Sequence, residues 1–195
     1  MSDFHVHLRT DGIIVYSVEG CGNVLLTYSR RAFYKISLLS GTGIVNYEDR
    51  SIKINGSVLL ITKPGRYCKW RLLTTNAPSY TCVITQEFLT SRCFNWVNQC
   101  NLFSSNDPRV YKLSYEESRF LGTIFQKMIG SQHSVYPFRS ELVQDQICVL
   151  LHTALSMKPS EDFVDYASST IIPMSQHVEL AEMQFPPEVQ VLHFN

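Results

Sequence analysis

The feature that most constrains the fold is a change of hydrophobic period near residue 110. Before it, short segments rich in β-branched and aromatic residues, such as 33–39 and 58–62, alternate with turns that contain glycine or proline. Beyond it, apolar residues recur at helical spacing. Many short strands without intervening helices are typical of a sandwich or barrel and not of a parallel α/β sheet. The sequence therefore predicts a mainly β domain followed by helices.

Two glycine-containing segments predict where strands end. The stretch 40–43, Ser-Gly-Thr-Gly, is expected to end the strand 33–39. Asn55 and Gly56 predict a two-residue hairpin turn, because both residues tolerate a positive φ. Short strands are predicted on either side of each segment.

The helical part carries its own start signals. Ser114 and Glu117 have the spacing of a capping box, which predicts a helix behind them. Pro137 is expected to open a second helix, since a proline costs nothing in the first turn. A third segment from about residue 160 is interrupted by Pro173. We divide the chain at these signals into 1–112 (barrel), 113–159 (helical hairpin) and 160–195 (connector).

Charge excludes one class of function. The chain has 17 basic and 17 acidic residues, whereas a protein that grips nucleic acid carries a surplus of Lys and Arg. Apolar runs fall far short of the roughly 20 residues needed to cross a bilayer, and the polar N-terminus has no secretory signal. The sequence therefore predicts a cytoplasmic protein with no membrane partner.

The six cysteines show no Cys-x-x-Cys spacing, so zinc-ribbon and thioredoxin-like sites have no support. In a cytosolic protein the thiols stay reduced, and Cys82 and Cys148 are interpreted as small buried apolar residues. Cys68 lies between Arg66 and Lys69, whose charges are expected to lower its pKa.

Signatures of catalysis are sparse. His5 and His7 alternate as metal ligands on a strand do, but no acidic or histidine partner stands near them. No nucleophile elbow, P-loop or dinucleotide fingerprint is present. The sequence predicts no enzyme, no metal and no cofactor.

Aromatic residues on the predicted strands favour a ligand pocket, since a small barrel can hold a ligand between aromatic walls and a few polar groups. Cations beside Trp70 favour an anionic ligand. The candidate binding residues are Tyr34, Tyr47, Arg66, Lys69, Trp70 and Tyr80.

Several segments, in their order along the chain, resemble one family. Segment 31–43 resembles the early strands of the regulatory domain of AraC-type transcription regulators, and 55–64 resembles its hairpin before a proline. Segments 80–89, 115–128, 136–160 and 178–186 resemble its last strand, its helices and its connector.

The resemblance implies a cupin-like (jelly-roll) β-barrel that senses a small molecule, followed by two or three helices that form a homodimer. It also implies paired helix-turn-helix units that bind DNA. Because this sequence ends at Asn195, where those units begin in the family, DNA contact is expected only through a part that this chain lacks. The candidate dimerisation residues are Leu142, Ile147, Leu150, Leu151 and Ala154.

Two other functions stay open at the level of sequence. One is a stand-alone, metal-dependent cupin enzyme, although no histidine stands on the predicted barrel strands where such enzymes carry their ligands. The other is a truncated regulator that acts through association with other proteins.

Overall fold

One antiparallel sheet with six strands organises the part of the chain that the structure describes. A computed structural model describes residues 12–18, 33–47, 50–65, 68–90, 102–103 and 109–158, which fall within the compact unit Met1–Asp165. The strands are β1 (Ile13–Val18), β2 (Phe33–Tyr47), β3 (Arg50–Thr62), β4 (Cys68–Thr75), β5 (Ser79–Thr85) and β6 (Arg109–Leu113). They are ordered β1-β5-β2-β3-β6, and β4 also pairs with β2.

Strand β2 is long because it belongs to two parts of the sheet. Its first half pairs with β5 and its second half with β4, while β3 accompanies nearly all of it. Between the halves, Gly41 has a φ of 145°, and the register with β4 shifts between Thr42 and Gly43. The prediction that segment 40–43 ends the strand is wrong, because these glycines bend the strand without ending it.

Strand β3 likewise runs through Asn55 and Gly56. Their partners on β2 are Thr42 and Gly41, and the φ of Gly56 is 104°. The prediction of a hairpin turn at this dipeptide is therefore wrong. Gly56 does adopt a positive φ, but it does so within β3, at the point where β3 pairs with Gly41 of β2.

The two faces of the sheet bury different cores, because alternate residues of a strand point to opposite faces. Odd-numbered residues of β2 share a face with their partners on β3 and β4. Val110 of β6, which pairs with Leu60 of β3, lies on the same face. We call this the interior face. Its apolar core consists of Leu39, Val45, Ile54, Val58, Leu60, Leu72 and Val110. Since this core joins both halves of β2, the two parts of the sheet fold over it.

The other face, the helix face, packs against three helices: α1 (Gln86–Thr90), α2 (Tyr115–Gln132) and α3 (Arg139–Ser156). Its core combines sheet residues such as Ile36 with buried residues of α2 and α3 such as Phe125 and Leu150. The predicted class, a mainly β fold followed by helices, is confirmed.

Local signals of the helical part are largely confirmed. The Ser114 hydroxyl accepts from the backbone N–H of Glu117, and the Glu117 carboxylate accepts from the backbone N–H of Ser114. The second helix is present as α3, but it begins at Arg139 with Phe138 as its N-cap, so Pro137 lies before the helix and not in its first turn as predicted. Helix α1 and strand β6 were not predicted. The third predicted helical segment lies outside the described residues.

Candidate ligand-binding site

Polar side chains occupy one end of the interior face. Lys35 and Ser37 follow each other on that face of β2, and their partners are Thr62 on β3 and Thr81 on β5. The hydroxyls of Ser37 and Thr81 lie 3.0 Å apart in a hydrogen bond. Both side chains are buried, as is Thr62. Lys35 itself is half-buried. A lysine beside three buried hydroxyls is unusual, because charged groups are rare in protein interiors.

Burial changes the pKa of the Lys35 ammonium group. Burial lowers the pKa of Lys35, and a smaller coulombic interaction with Cys68 acts in the opposite direction. Cys68 starts β4, opposite Tyr47 at the far end of β2, so its electrostatic coupling to Lys35 acts across the interior between the two parts of the sheet. Lys35 therefore belongs to the interior and not to the solvent side of the sheet.

Cys68 differs from its predicted state. Burial raises the pKa of its thiol to about 12, although the Lys35 charge acts to lower it. The predicted lowering of this pKa is wrong because desolvation penalises a thiolate more than the neighbouring cation stabilises it. The group is a neutral thiol at physiological pH.

Beyond this polar end, the buried residues of the interior face are apolar, and Lys112 of β6, opposite Val58, lies exposed on the same face. Tyr47 is buried on β2, and Trp70 is half-buried on β4 opposite Val45, packed against the interior core. The interior thus presents a cation and hydroxyls at one end and aliphatic and aromatic side chains over the rest, a pattern that suits an acid with an apolar body.

The six predicted binding residues do not come together. Tyr47 and Trp70 lie on the interior face, whereas Tyr34 and Tyr80 lie on the helix face. The Tyr34 ring meets Phe103 at 4.6 Å, edge to face, and Tyr80 stacks on Phe125 at 5.6 Å. Arg66 and the side chain of Lys69 lie outside the described part of the chain.

The sequence carries a signal for Lys35 that points the other way. Lys35 and Ser37 alternate with apolar Tyr34, Ile36 and Leu38, the pattern of a strand with one solvated face. Both faces of β2 are covered in the structure, so the face that carries Lys35 and Ser37 points into the protein and not into solvent. Alternation alone does not show that a second part of the sheet covers the polar face.

The predicted dimerisation residues separate into two environments. Ile147, Leu150, Leu151 and Ala154 are fully buried in the core shared with the sheet, whereas Leu142 is 42% exposed. Val149, seven residues further along α3, is 47% exposed. The outward face of α3 therefore carries Leu142 and Val149.

Cys148 departs from the expectation of reduced thiols: it is half-buried and disulfide-bonded. Cys82, by contrast, is a fully buried free thiol, as predicted. Over the described ranges no three His, Cys, Asp or Glu side chains form a group that could hold a metal ion. His5 and His7 lie outside those ranges. None of the helices described has the length and apolar character needed to cross a membrane.

Comparison with solved structures finds similarities at low sequence identity. ToxT of Vibrio cholerae O395, bound to (E)-4-(8-methylnaphthalen-1-yl)but-3-enoic acid, has a TM-score of 0.44 and 15% identity over 74% of this chain and 56% of its own. The AraC-like transcriptional activator CuxR has a TM-score of 0.43 and 12% identity over 89% of this chain and 59% of its own.

An enzyme is also similar, at a lower score. HEPD of Streptomyces albus, with 2-hydroxyethylphosphonate and Fe(II) bound, has a TM-score of 0.29 and 12% identity over 75% of this chain and 39% of its own. No family model and no curated protein matches the chain. The chain spans less than two thirds of the length of each of these three proteins.

Proposed function

We propose that this chain is the sensing domain of an AraC-type regulator, that it is not an enzyme, and that DNA contact belongs to a part outside it. Its ligand is a small acid with an apolar body, bound between the two parts of the sheet. The observation that carries this proposal is Lys35, a cation on the interior face beside the hydrogen-bonded hydroxyls of Ser37 and Thr81.

Electrostatics supports an anion at this position. The lowered pKa of Lys35 means that its surroundings disfavour the charged form more than water does. A carboxylate bound nearby reverses that balance, because a charge-assisted hydrogen bond in a poorly hydrated site is stronger than a neutral one. The site is therefore complementary to a negative group, and the hydroxyls supply further donors to it.

Dimerisation is the second part of the proposal. The exposed side chains of Leu142 and Val149 are seven residues apart, so they lie on one side of α3. The four buried residues predicted for dimerisation hold α3 against the sheet. The exposed side chains of Leu142 and Val149 contact the second copy of the chain.

The test measures binding of oleate, a carboxylate on an apolar chain, by fluorescence. Trp70 packs against the interior core, and a Trp96→Phe background leaves it as the sole tryptophan of the two in the sequence. We expect oleate to change Trp70 emission saturably. Lys35→Met should weaken binding by at least about tenfold, the equivalent of one charge-assisted hydrogen bond, while Lys35→Arg should retain it.

Two controls separate the site from nonspecific binding. Lys53→Met removes an exposed lysine from the opposite face of β3 and should leave oleate binding unchanged. Methyl oleate, which lacks the carboxylate, should bind the unsubstituted protein as weakly as oleate binds Lys35→Met. Equal affinity of oleate for the Lys35→Met and Lys53→Met proteins would contradict the proposal.

A further inference from the structure

A concavity lies on the helix side of the sheet, away from Lys35. It is a cleft of about 720 Å³ between the end of β1, the β4–β5 turn and helix α2. Ser17 and Val18 form one wall, residues 75–78 form the turn, and Gln126 and Ile129 of α2 form the other wall. Tyr80, buried on the helix face, also lines the cleft.

The lining has a distinct chemistry. None of the described side chains around the cleft carries a charge, whereas Ser17, Thr75, Asn76, Tyr80 and Gln126 all offer uncharged hydrogen-bonding groups. Val18, Pro78 and Ile129 add apolar surface between them. Neutral donors and acceptors interleaved with apolar patches suit a molecule that has both hydroxyl groups and C–H faces, and they offer nothing to balance a charge.

The floor of the cleft is held in place. The Tyr80 ring stacks on Phe125, nearly parallel at an interplanar angle of 12°. Its hydroxyl accepts a hydrogen bond of 2.9 Å from the Gln126 side-chain amide. In the turn, the backbone N–H of Asn76 donates to the Ser40 carbonyl at 3.3 Å. Preorganised polar groups reduce the entropy that a ligand would otherwise lose in ordering them.

We propose that this cleft is a second ligand site, for a neutral carbohydrate of mono- or disaccharide size. It is separate from the interior site because Tyr80 and Lys35 lie on opposite faces of the sheet. A sugar bound there contacts the sheet through Tyr80 and the turn, and α2 through Gln126. It therefore stabilises the packing of the helical pair on the sheet by binding only when the two are together.

The test is saturation-transfer NMR with a panel of neutral mono- and disaccharides, including lactose, and with the anionic lactobionate as the charged counterpart. We expect at least one neutral sugar to bind with a dissociation constant in the millimolar range or below, and lactobionate to bind more weakly than lactose. Ala77→Trp, which fills the cleft from an exposed turn position, should abolish the sugar signal.

Variants at hydrogen-bonding positions locate the site. Gln126→Ala should raise the dissociation constant of the bound sugar by about three- to tenfold, as expected for one neutral hydrogen bond. Gln86→Ala, at an exposed position on α1, is the matched control and should change nothing. Lys35→Met should also leave sugar binding intact, which separates this site from the interior one.

Two outcomes would overturn the proposal. One is the absence of any neutral sugar whose signal disappears in Ala77→Trp while circular dichroism shows that variant to be folded. The other is lactobionate binding as tightly as lactose, since the cleft then does not select for neutral ligands. Neither outcome bears on oleate binding at Lys35.

Discussion

Gly41 shows how a single residue determines the shape of the sheet. Its φ of 145° is open to few residues other than glycine, and a β-carbon at this position would lie 1.8 Å from the Thr74 carbonyl oxygen. The bend of β2, which lets one strand serve both parts of the sheet, depends on the missing side chain.

We therefore expect Gly41→Ala to lower the free energy of unfolding by more than about 3 kcal/mol, since backbone strain and a clash with backbone add together. Gly130→Ala is the matched control: a β-carbon at this position in α2 would have no neighbouring atom within 4 Å, so this change should raise stability by up to about 1 kcal/mol. Urea denaturation of both variants measures the difference. Similar stability changes of the same sign would contradict the role of Gly41.

Lys35 shows what a residue pattern leaves open. The alternation along β2 correctly predicts which residues share a face, but the same alternation describes a solvated face and a polar interior equally well. The difference lies in β4, which pairs with β2 from Gly41 onward. Tyr34 and Tyr80 were assigned to the pocket for the same reason. The sequence shows which residues share a face of a strand, but it does not show what covers that face.

At the scale of elements, helix α2 is the best specified by its local sequence. Ser114 and Glu117 satisfy each other's backbone N–H groups, with a Glu117 Oε2 to Ser114 N distance of 2.7 Å. Such short-range signals depend on a few neighbouring residues, so they can be predicted from sequence. Strand β6 and the continuous β2 and β3 depend on distant partners, which explains why the sequence missed or divided them.

The capping box predicts a specific pH dependence. Hydrogen bonds from the Ser114 backbone and side chain hold the pKa of Glu117 below its usual value. The carboxylate therefore stabilises the folded state fully above the ordinary glutamate pKa, and this contribution is lost as the pH falls through the lowered value. Glu117→Ala should thus be less stable than the unsubstituted protein at pH 7, with the difference disappearing in acid.

Glu116→Ala is the control, since Glu116 lies in the same first turn but outside the capping box. Thermal unfolding from pH 7 down to pH 2 measures both variants. Ser114→Ala should cost about 1 kcal/mol at neutral pH, the usual value of an N-cap. A Glu117→Ala deficit that stays constant across this range would contradict the assignment of the carboxylate to the cap.

At the scale of the whole molecule, the sheet and the helical pair share one core. Phe125 and Met128 of α2 and Leu150 of α3 are fully buried in the same cluster as Ile36 and Leu59 of the sheet. The predicted division into a barrel and a helical hairpin with separate functions stays a prediction, because the two parts pack against each other. A ligand in either site thus contacts a sheet that is continuous in packing with α3.

The proposed dimer is tested at its exposed face. Leu142→Glu combined with Val149→Glu should shift the protein from dimer to monomer in light scattering, because two charges replace the apolar side chains that would be buried. Leu73→Glu, at a 54% exposed position on β4, is the control and should leave the mass unchanged. A monomer before substitution, at concentrations up to the millimolar range, would contradict the dimer.

The measurement that tests the central claim most directly is the pKa of Lys35 with and without oleate. Lysine labelled with ¹³C and ¹⁵N reports the titration of each side chain, and Lys35→Arg identifies the Lys35 resonance. We predict that the free protein shows a Lys35 pKa below the usual lysine value and that bound oleate raises it, while the other lysines stay unchanged. A Lys35 pKa that oleate leaves unmoved at saturation would contradict an anion site in the sheet interior.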